Sequence, residues 1–215
     1  MMGWFKKLGP GIMFAGAAIG VSHLVQSTRA GADFGFGLIW ALLLINLIKY
    51  PFFAFGVHYT SRTGQDLLTA FNKMGRWVLM VYFILTLCTM FTFQTAVTIV
   101  TAGIATSLTG IGTPVVWAGL ILLACFLILI RGRFSVLDQV MKYVVLALTL
   151  TTVLALIFAW FNTASRPSWQ QVIPNSTVGI SFLIAFMGWM PAPLDLAIWQ
   201  SLWAVEKKQL NPELG

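Results

Sequence analysis

Six long apolar runs organise the chain, at 10–32, 36–57, 77–106, 113–130, 141–161 and 177–204, each bounded by charged or turn-forming residues. A helix needs roughly 20 apolar residues to cross a bilayer core, with about 17–25 usual. The third and last runs are longer than that, and the first and last are interrupted inside. The runs are continuous and rich in Leu and Ala rather than alternating with period two, which excludes a β-barrel. No stretch between them is long enough for a separate soluble domain. The pattern predicts an all-α polytopic membrane protein, a single transmembrane domain over 1–215 with six helices.

Composition closes the alternatives. Of 215 residues, 59% are hydrophobic and 9% charged, and the mean hydropathy is +0.87. A soluble domain carries about 25% charged residues, so this chain has too little polar surface to stay dissolved, and its hydrophobicity also excludes disorder. In a soluble protein the net charge of +7 would point to nucleic acid. In a membrane protein it reports orientation, and no nucleic-acid partner is expected. Cys88 and Cys125 both lie in apolar runs and read as small buried hydrophobes rather than a disulfide or metal pair.

Charge placement supports the span count. Lys6 and Lys7 precede span one; Arg62, Lys73 and Arg76 follow span two; Arg131, Arg133 and Lys142 lie between spans four and five; Lys207 and Lys208 follow span six. Ten of the thirteen basic residues thus share one face, against Arg29 and Arg166 on the other, with Lys49 inside span two. By the positive-inside rule both termini are cytoplasmic, which requires an even number of spans. A signal peptide over residues 1–25, cleaved near Ala15-Gly16-Ala17, fits less well, because Gly9, Pro10 and Gly11 break its apolar region and the run continues beyond it.

The interruptions are where chemistry can sit. Non-helical backbone at membrane depth is tolerated only against protein or a watery cavity. Span one carries Ala17-Ala18-Ile19-Gly20-Val21-Ser22-His23 near its middle, with Gln26 and Ser27 beyond. Span six carries Met190-Pro191-Ala192-Pro193 and then Asp195, where two prolines remove two N–H donors and force unwinding. Paired interrupted segments in two halves are the best sequence pointer to a secondary transporter's site. Each residue also has a plainer reading. His23 can bond a neighbouring helix or ligate a transition metal. Met190 can be packing or a thioether ligand. Asp195 can cap a helix or supply intramembrane charge. Lys49 can snorkel, or face the bundle as a titratable or counter-charge group.

At this point the residues resemble the Nramp family of divalent-metal transporters. Gly9-Pro10-Gly11, then Ala30-Gly31-Ala32-Asp33-Phe34-Gly35-Phe36-Gly37-Leu38-Ile39-Trp40, look like its first helix and loop. Thr63-Gly64-Gln65-Asp66-Leu67 fits its T-G-x-D-L turn, and Met190-Pro191 the start of its M-P-H motif. The resemblance implies a leucine-transporter-like (APC-type) fold, here the first inverted repeat plus helix six, with helices one and six interrupted. Aligned back from Trp40 without gaps, the family's D-P-G-N falls on Gly20, Val21, Ser22 and His23. The family's metal-binding Asp is thus Gly20 and its Asn is His23, while its Met is kept as Met190. The later His is Ala192, and span three has no carboxylate. The assisting backbone carbonyls would be near Ala17 and Met187.

What the resemblance implies is a secondary transporter of divalent transition metal, Mn- or Fe-like, working by alternating access through an altered site. Its metal shell would draw on Met190, His23, Ser22, the carbonyls at Ala17 and Met187, and the backbone at Gly20, with Asp195 and Lys49 as charge or proton-coupling groups. Such a shell is soft and carries no carboxylate at the usual place, which favours transition metals over Ca²⁺ and Mg²⁺. The metal is cargo, and no cofactor is expected. The alternatives are a same-fold transporter of a small non-metal solute and a non-transporting membrane subunit. An enzyme is not expected, since adjacent Ser22 and His23 do not build a nucleophile–base pair. The family has about eleven spans in two repeats that close the site together. The chain therefore reads as the amino-terminal half of a longer transporter, needing a carboxy-terminal half or a second subunit, with Asn211–Gly215 as a loop. The expected location is a bacterial inner (plasma) membrane.

Overall fold

The computed structural model describes residues 9–20, 22–131, 134–162 and 168–210. Lys6, Lys7, Arg133, Arg166 and the 211–215 segment, which entered the orientation and fragment readings, lie outside the described residues, as do the side chains of Ser22 and Arg131. Every described regular element is helical: α1 (Gly9–Ala18), a π-helical turn (Ser22–Gln26), α2 (Ser27–Phe34), α3 (Ile39–Thr63), α4 (Leu67–Met74), α5 (Arg76–Thr109), α6 (Pro114–Arg131), α7 (Phe134–Asn162), α8 (Thr177–Trp189) and α9 (Leu196–Leu210). Three stretches, Ile39–Thr63, Arg76–Thr109 and Gln139–Asn162, are long and apolar enough to cross a membrane, and Pro114–Ile130 and Thr177–Trp189 are shorter apolar helices.

The helix bounds follow local chemistry. Gly64 (φ 68°) ends α3 and Gly110 (φ 66°) ends α5, each in the left-handed conformation that glycine adopts freely, with its N–H closing on the carbonyl four residues back. Ser176 caps α8 by accepting from the Gly179 N–H at 3.1 Å. Span six leaves helical geometry at Met190, whose backbone is extended, and α9 resumes at Leu196. Span one ends α1 at Ala18 and continues as the π-helical turn. Several threonines within the long helices are satisfied locally, although the buried Thr60 hydroxyl has no partner among the described residues. Thr101, Thr106, Thr149 and Thr152, for example, each donate to the carbonyl four residues before them, so their hydroxyls need no partner from lipid.

The chain divides into two compact units. In Leu68–Leu137, α5 and α6 form an antiparallel hairpin through the turn at Gly110–Thr113, where the Trp117 indole N–H donates to the Ile111 carbonyl at 2.8 Å. Cys88 on α5 and Cys125 on α6, read from the sequence as buried, are exposed. The outward face of a membrane helix is itself apolar, so hydrophobic surroundings in sequence do not imply an interior position there.

The unit formed by Met1–Leu67 and Asp138–Gly215 carries both interrupted spans. The face of α3 bearing Leu42, Ile45, Lys49, Phe53, Gly56 and Thr60, at helical spacings of three and four, turns inward. Beside it α9 crosses at Gly56, where a Cβ would meet the Ala197 carbonyl oxygen at 3.0 Å. Ser201, fully buried on α9, accepts from the Leu67 N–H at 3.0 Å and so caps α4 from another helix. A Ser201→Ala variant leaves that N–H unpaired, and the expected loss is about 1–3 kcal/mol of stability, read from the thermal melt.

The 30–40 motif has a structural role in the same unit. Its loop is hydrogen-bonded to the segment before α8: Phe36 N–H to the Ser168 carbonyl (3.0 Å), Val172 N–H to the Gly37 carbonyl (3.0 Å), and the Trp40 indole N–H to the Val172 carbonyl (3.0 Å). Phe36 packs on Trp169 with ring centroids 4.3 Å apart. Gly37 cannot gain a side chain without conflict, because a Cβ there would lie 2.9 Å from the Phe34 carbonyl oxygen and 3.1 Å from that of Gln170.

Candidate functional site

The two interruptions meet. Ala17 and Ala18, where α1 ends, pack with Ala192 and Leu196 from the break in span six, together with Phe14 and Phe53. On the other side of that break, Met190 is 1% exposed in a cluster with Ala30, Leu38, Phe182 and Phe186, flanked by Met187, Leu42 and Ile45. The sequence-predicted residues of both breaks therefore belong to one region of one unit, with α3 running beside them.

Backbone accounting explains the chemistry of the break. In an α-helix the Met187 carbonyl would accept from the N–H of residue 191, but Pro191 has none. The Gly188 carbonyl loses its helical partner because the chain leaves the helix at Met190. The Ala192 carbonyl is not served by its i+4 donor either, since the Leu196 N–H goes to Pro193 at 3.1 Å. Three carbonyls are thus stripped of main-chain donors, one of them on the fully buried Ala192, and a buried unpaired polar group is costly.

Lys49 supplies the missing donors. Its Nζ lies 3.1 Å from the Met187 carbonyl oxygen, 2.6 Å from that of Gly188 and 3.1 Å from that of Ala192. Three acceptors match the three N–H donors of an ammonium. Lys49 is 7% exposed and faces the bundle, so it does not snorkel. Two of the carbonyls close the C-terminal end of α8, the negative end of its dipole, which favours a cation. The Met187 carbonyl, expected among the metal ligands, thus accepts from an ammonium.

The other candidates take these places. His23 lies in the π-helical turn, half-buried and hydrogen-bonded to the backbone of Ala18. Gln26, on the same turn, buries its Oε1 with no hydrogen-bond partner among the described residues. The Gly20 carbonyl accepts from the N–H groups of His23 and Leu24, each at 3.1 Å, and a Cβ at Gly20 would meet open space. Ser22 opens the turn. Asp195 stands immediately before α9, its carbonyl accepting from the Ile198 N–H at 2.9 Å and the Trp199 N–H at 3.2 Å. Among the described residues, no three His, Cys, Asp or Glu side chains come together as a metal-binding group. The Lys49–carbonyl cluster was not legible in sequence. Its signals were a lysine inside an apolar run and a proline four residues after the carbonyl it orphans.

Abutting breaks in two spans, lined by main-chain polar groups and flanked by apolar helices, define a polytopic α-helical membrane protein with a polar centre built from interrupted helices. The sequence profile described as natural resistance-associated macrophage protein-like matches residues 11–213, and the chain belongs to that family, Nramp. It is 36% identical over 212 residues to an uncharacterized protein of Pasteurella multocida (strain Pm70), covering 96% of this chain and 49% of that protein. It is 23% identical over 222 residues to the metal transporter Nramp4 of Arabidopsis thaliana, covering 97% of this chain and 42% of that protein. The chain thus spans about half the length of these curated relatives or less. No solved structure matches it.

Proposed function

We propose that the chain is the amino-terminal half of an alternating-access secondary transporter moving a divalent transition metal, Mn- or Fe-like, through the region where the two breaks meet. The observation that carries this reading is the joining of both breaks, with Met190 and the π-helical turn of His23 on adjoining elements. Thioether, imidazole and carbonyl donors are the ligand types that select transition metals over Ca²⁺ and Mg²⁺. In this reading Met190 and His23 are the principal ligands, with Ser22, the Ala17 and Met187 carbonyls and the backbone at Gly20 around them. Asp195 and Lys49 are the nearby charges. The termini are cytoplasmic in a bacterial inner membrane, and a carboxy-terminal half or second subunit completes the site. Membership of a family that includes a named metal transporter supports the choice of cargo.

The test must separate the sulfur of Met190 from its packing, because Met190 is also a core residue. Met190→Leu conserves volume and removes the sulfur. Expressed in its full-length context, the protein should show saturable Mn²⁺, Fe²⁺ or Cd²⁺ uptake. Met190→Leu should lower it by at least the roughly 10–100-fold that loss of even an outer-shell partner costs a metal site, with the melting temperature retained. Uptake indifferent to both Met190→Leu and His23→Ala refutes the reading.

One observation favours a second cargo class. A dication sharing the Met187 carbonyl with the Lys49 ammonium would stand about 4 Å from it and be repelled by about 8 kcal/mol at an effective dielectric of 20. A small non-metal solute, bound through the main-chain groups of the breaks, meets no such penalty. Stabilisation by an organic solute together with indifference to metals would select that reading. Stable association with a partner and no flux of either cargo would select a non-transporting subunit.

A further inference from the structure

We infer that the carbonyls of Met187, Gly188 and Ala192 form a monovalent-cation site of the ammonium type, and that Lys49 fills it as a built-in, tethered cation. The oxygens converge on one point, 2.6–3.1 Å from a single nitrogen. They come from two stretches of chain that are no longer one helix, on either side of the break at Met190 and Pro191. They are acceptors only, each lacks its helical donor, and two of them close the negative end of α8. Such a cluster calls for one positive charge with several N–H donors, and a neutral donor would leave part of it unpaired. Lys49 reaches it from a different helix, across 139 residues of sequence to Gly188, so the charge also fixes α3 against the break in span six. The α3 residues on either side along the same face, Ile45 and Phe53, pack into the two clusters that flank the break, which holds the ammonium in register.

The clustered ammonium holds the break whatever cargo crosses it, and its test involves no transport. Lys49→Ala removes three methylenes and the ammonium, the atoms of propylammonium. The chain, wild type and variant, is reconstituted in nanodiscs and its melting temperature followed by tryptophan fluorescence in propylammonium chloride or tetramethylammonium chloride. Lys49→Ala should melt more than about 5 °C below wild type. Propylammonium should restore at least half of that loss, saturably with concentration. Tetramethylammonium, a cation with no N–H, should restore none of it, and wild type should respond to neither. Lys49→Met keeps an apolar side chain of similar reach without the charge, so it should also melt below wild type, and this holds the test open if Lys49→Ala does not fold. A Lys49→Met melt equal to wild type, or a Lys49→Ala variant restored no better by propylammonium than by tetramethylammonium, overturns the inference.

Discussion

Replacing Gly56 with leucine should lower stability more than any other single change on the α3–α9 crossing. Gly56 lets the two helices approach until the Ala197 carbonyl oxygen is 3.0 Å from where a Cβ would stand, with Leu67 Cδ1 at 3.2 Å. A flexible side chain can yield to an intruding methyl group, but a helix carbonyl cannot without moving α9. That movement spreads. Ser201 lies one turn beyond Ala197 and holds the Leu67 N–H, while Leu196, just before it, packs with Ala18 and Ala192 at the junction of the breaks. Overpacking a well-filled interior costs about 1–3 kcal/mol, and a rigid backbone neighbour puts this site at the upper end. At about 2–4 °C per kcal/mol for a chain of this size, the melt should fall by roughly 6–12 °C. Gly56→Ala should fall between wild type and Gly56→Leu. A Gly56→Leu melt indistinguishable from wild type would show that the helices do not cross this closely.

The second large effect is expected at Met190, with a contrast inside one position. Met190 is 1% exposed among Phe186, Phe182, Leu38 and Ala30. Met190→Ala leaves a cavity there and should cost about 2–5 kcal/mol. Met190→Leu keeps the volume and should cost less than about 1.5 kcal/mol. Stability therefore follows the volume at this position, whereas the proposed cargo binding follows the sulfur. Melts of the two variants separate these roles before any uptake is measured. Equal melts for both would mean that Met190 does not pack as the cluster places it.

Much of the helical layout was legible because a bilayer leaves few choices. The apolar runs at 36–57, 77–106, 113–130 and 141–161 became α3, α5, α6 and α7, although α3 continues through the polar stretch to Thr63 and α7 starts at Phe134, well before its apolar run. Backbone hydrogen bonding does not stop where hydrophobicity does, so helix ends follow capping glycines such as Gly64 and Gly110. The break at Met190–Asp195 was legible from two prolines, whose missing N–H groups are a local property. What sequence could not supply was tertiary. Nothing near Lys49 indicates that its acceptors lie some 140 residues away, nor that Trp40 donates to Val172. Short α4 was missed because eight residues between charged turns carry too little periodicity to stand out.

The lysine clasp also sets an order of assembly. During synthesis Lys49 precedes Gly188 by 139 residues. At about 5–20 residues per second, roughly 7–28 s pass before the acceptors exist. Throughout that interval the Lys49 ammonium lacks the three carbonyls it later pairs with. Span six, for its part, cannot settle its broken backbone until that lysine is within reach. The contact that ties the second span to the break is therefore among the last to form, made only when the sixth span arrives.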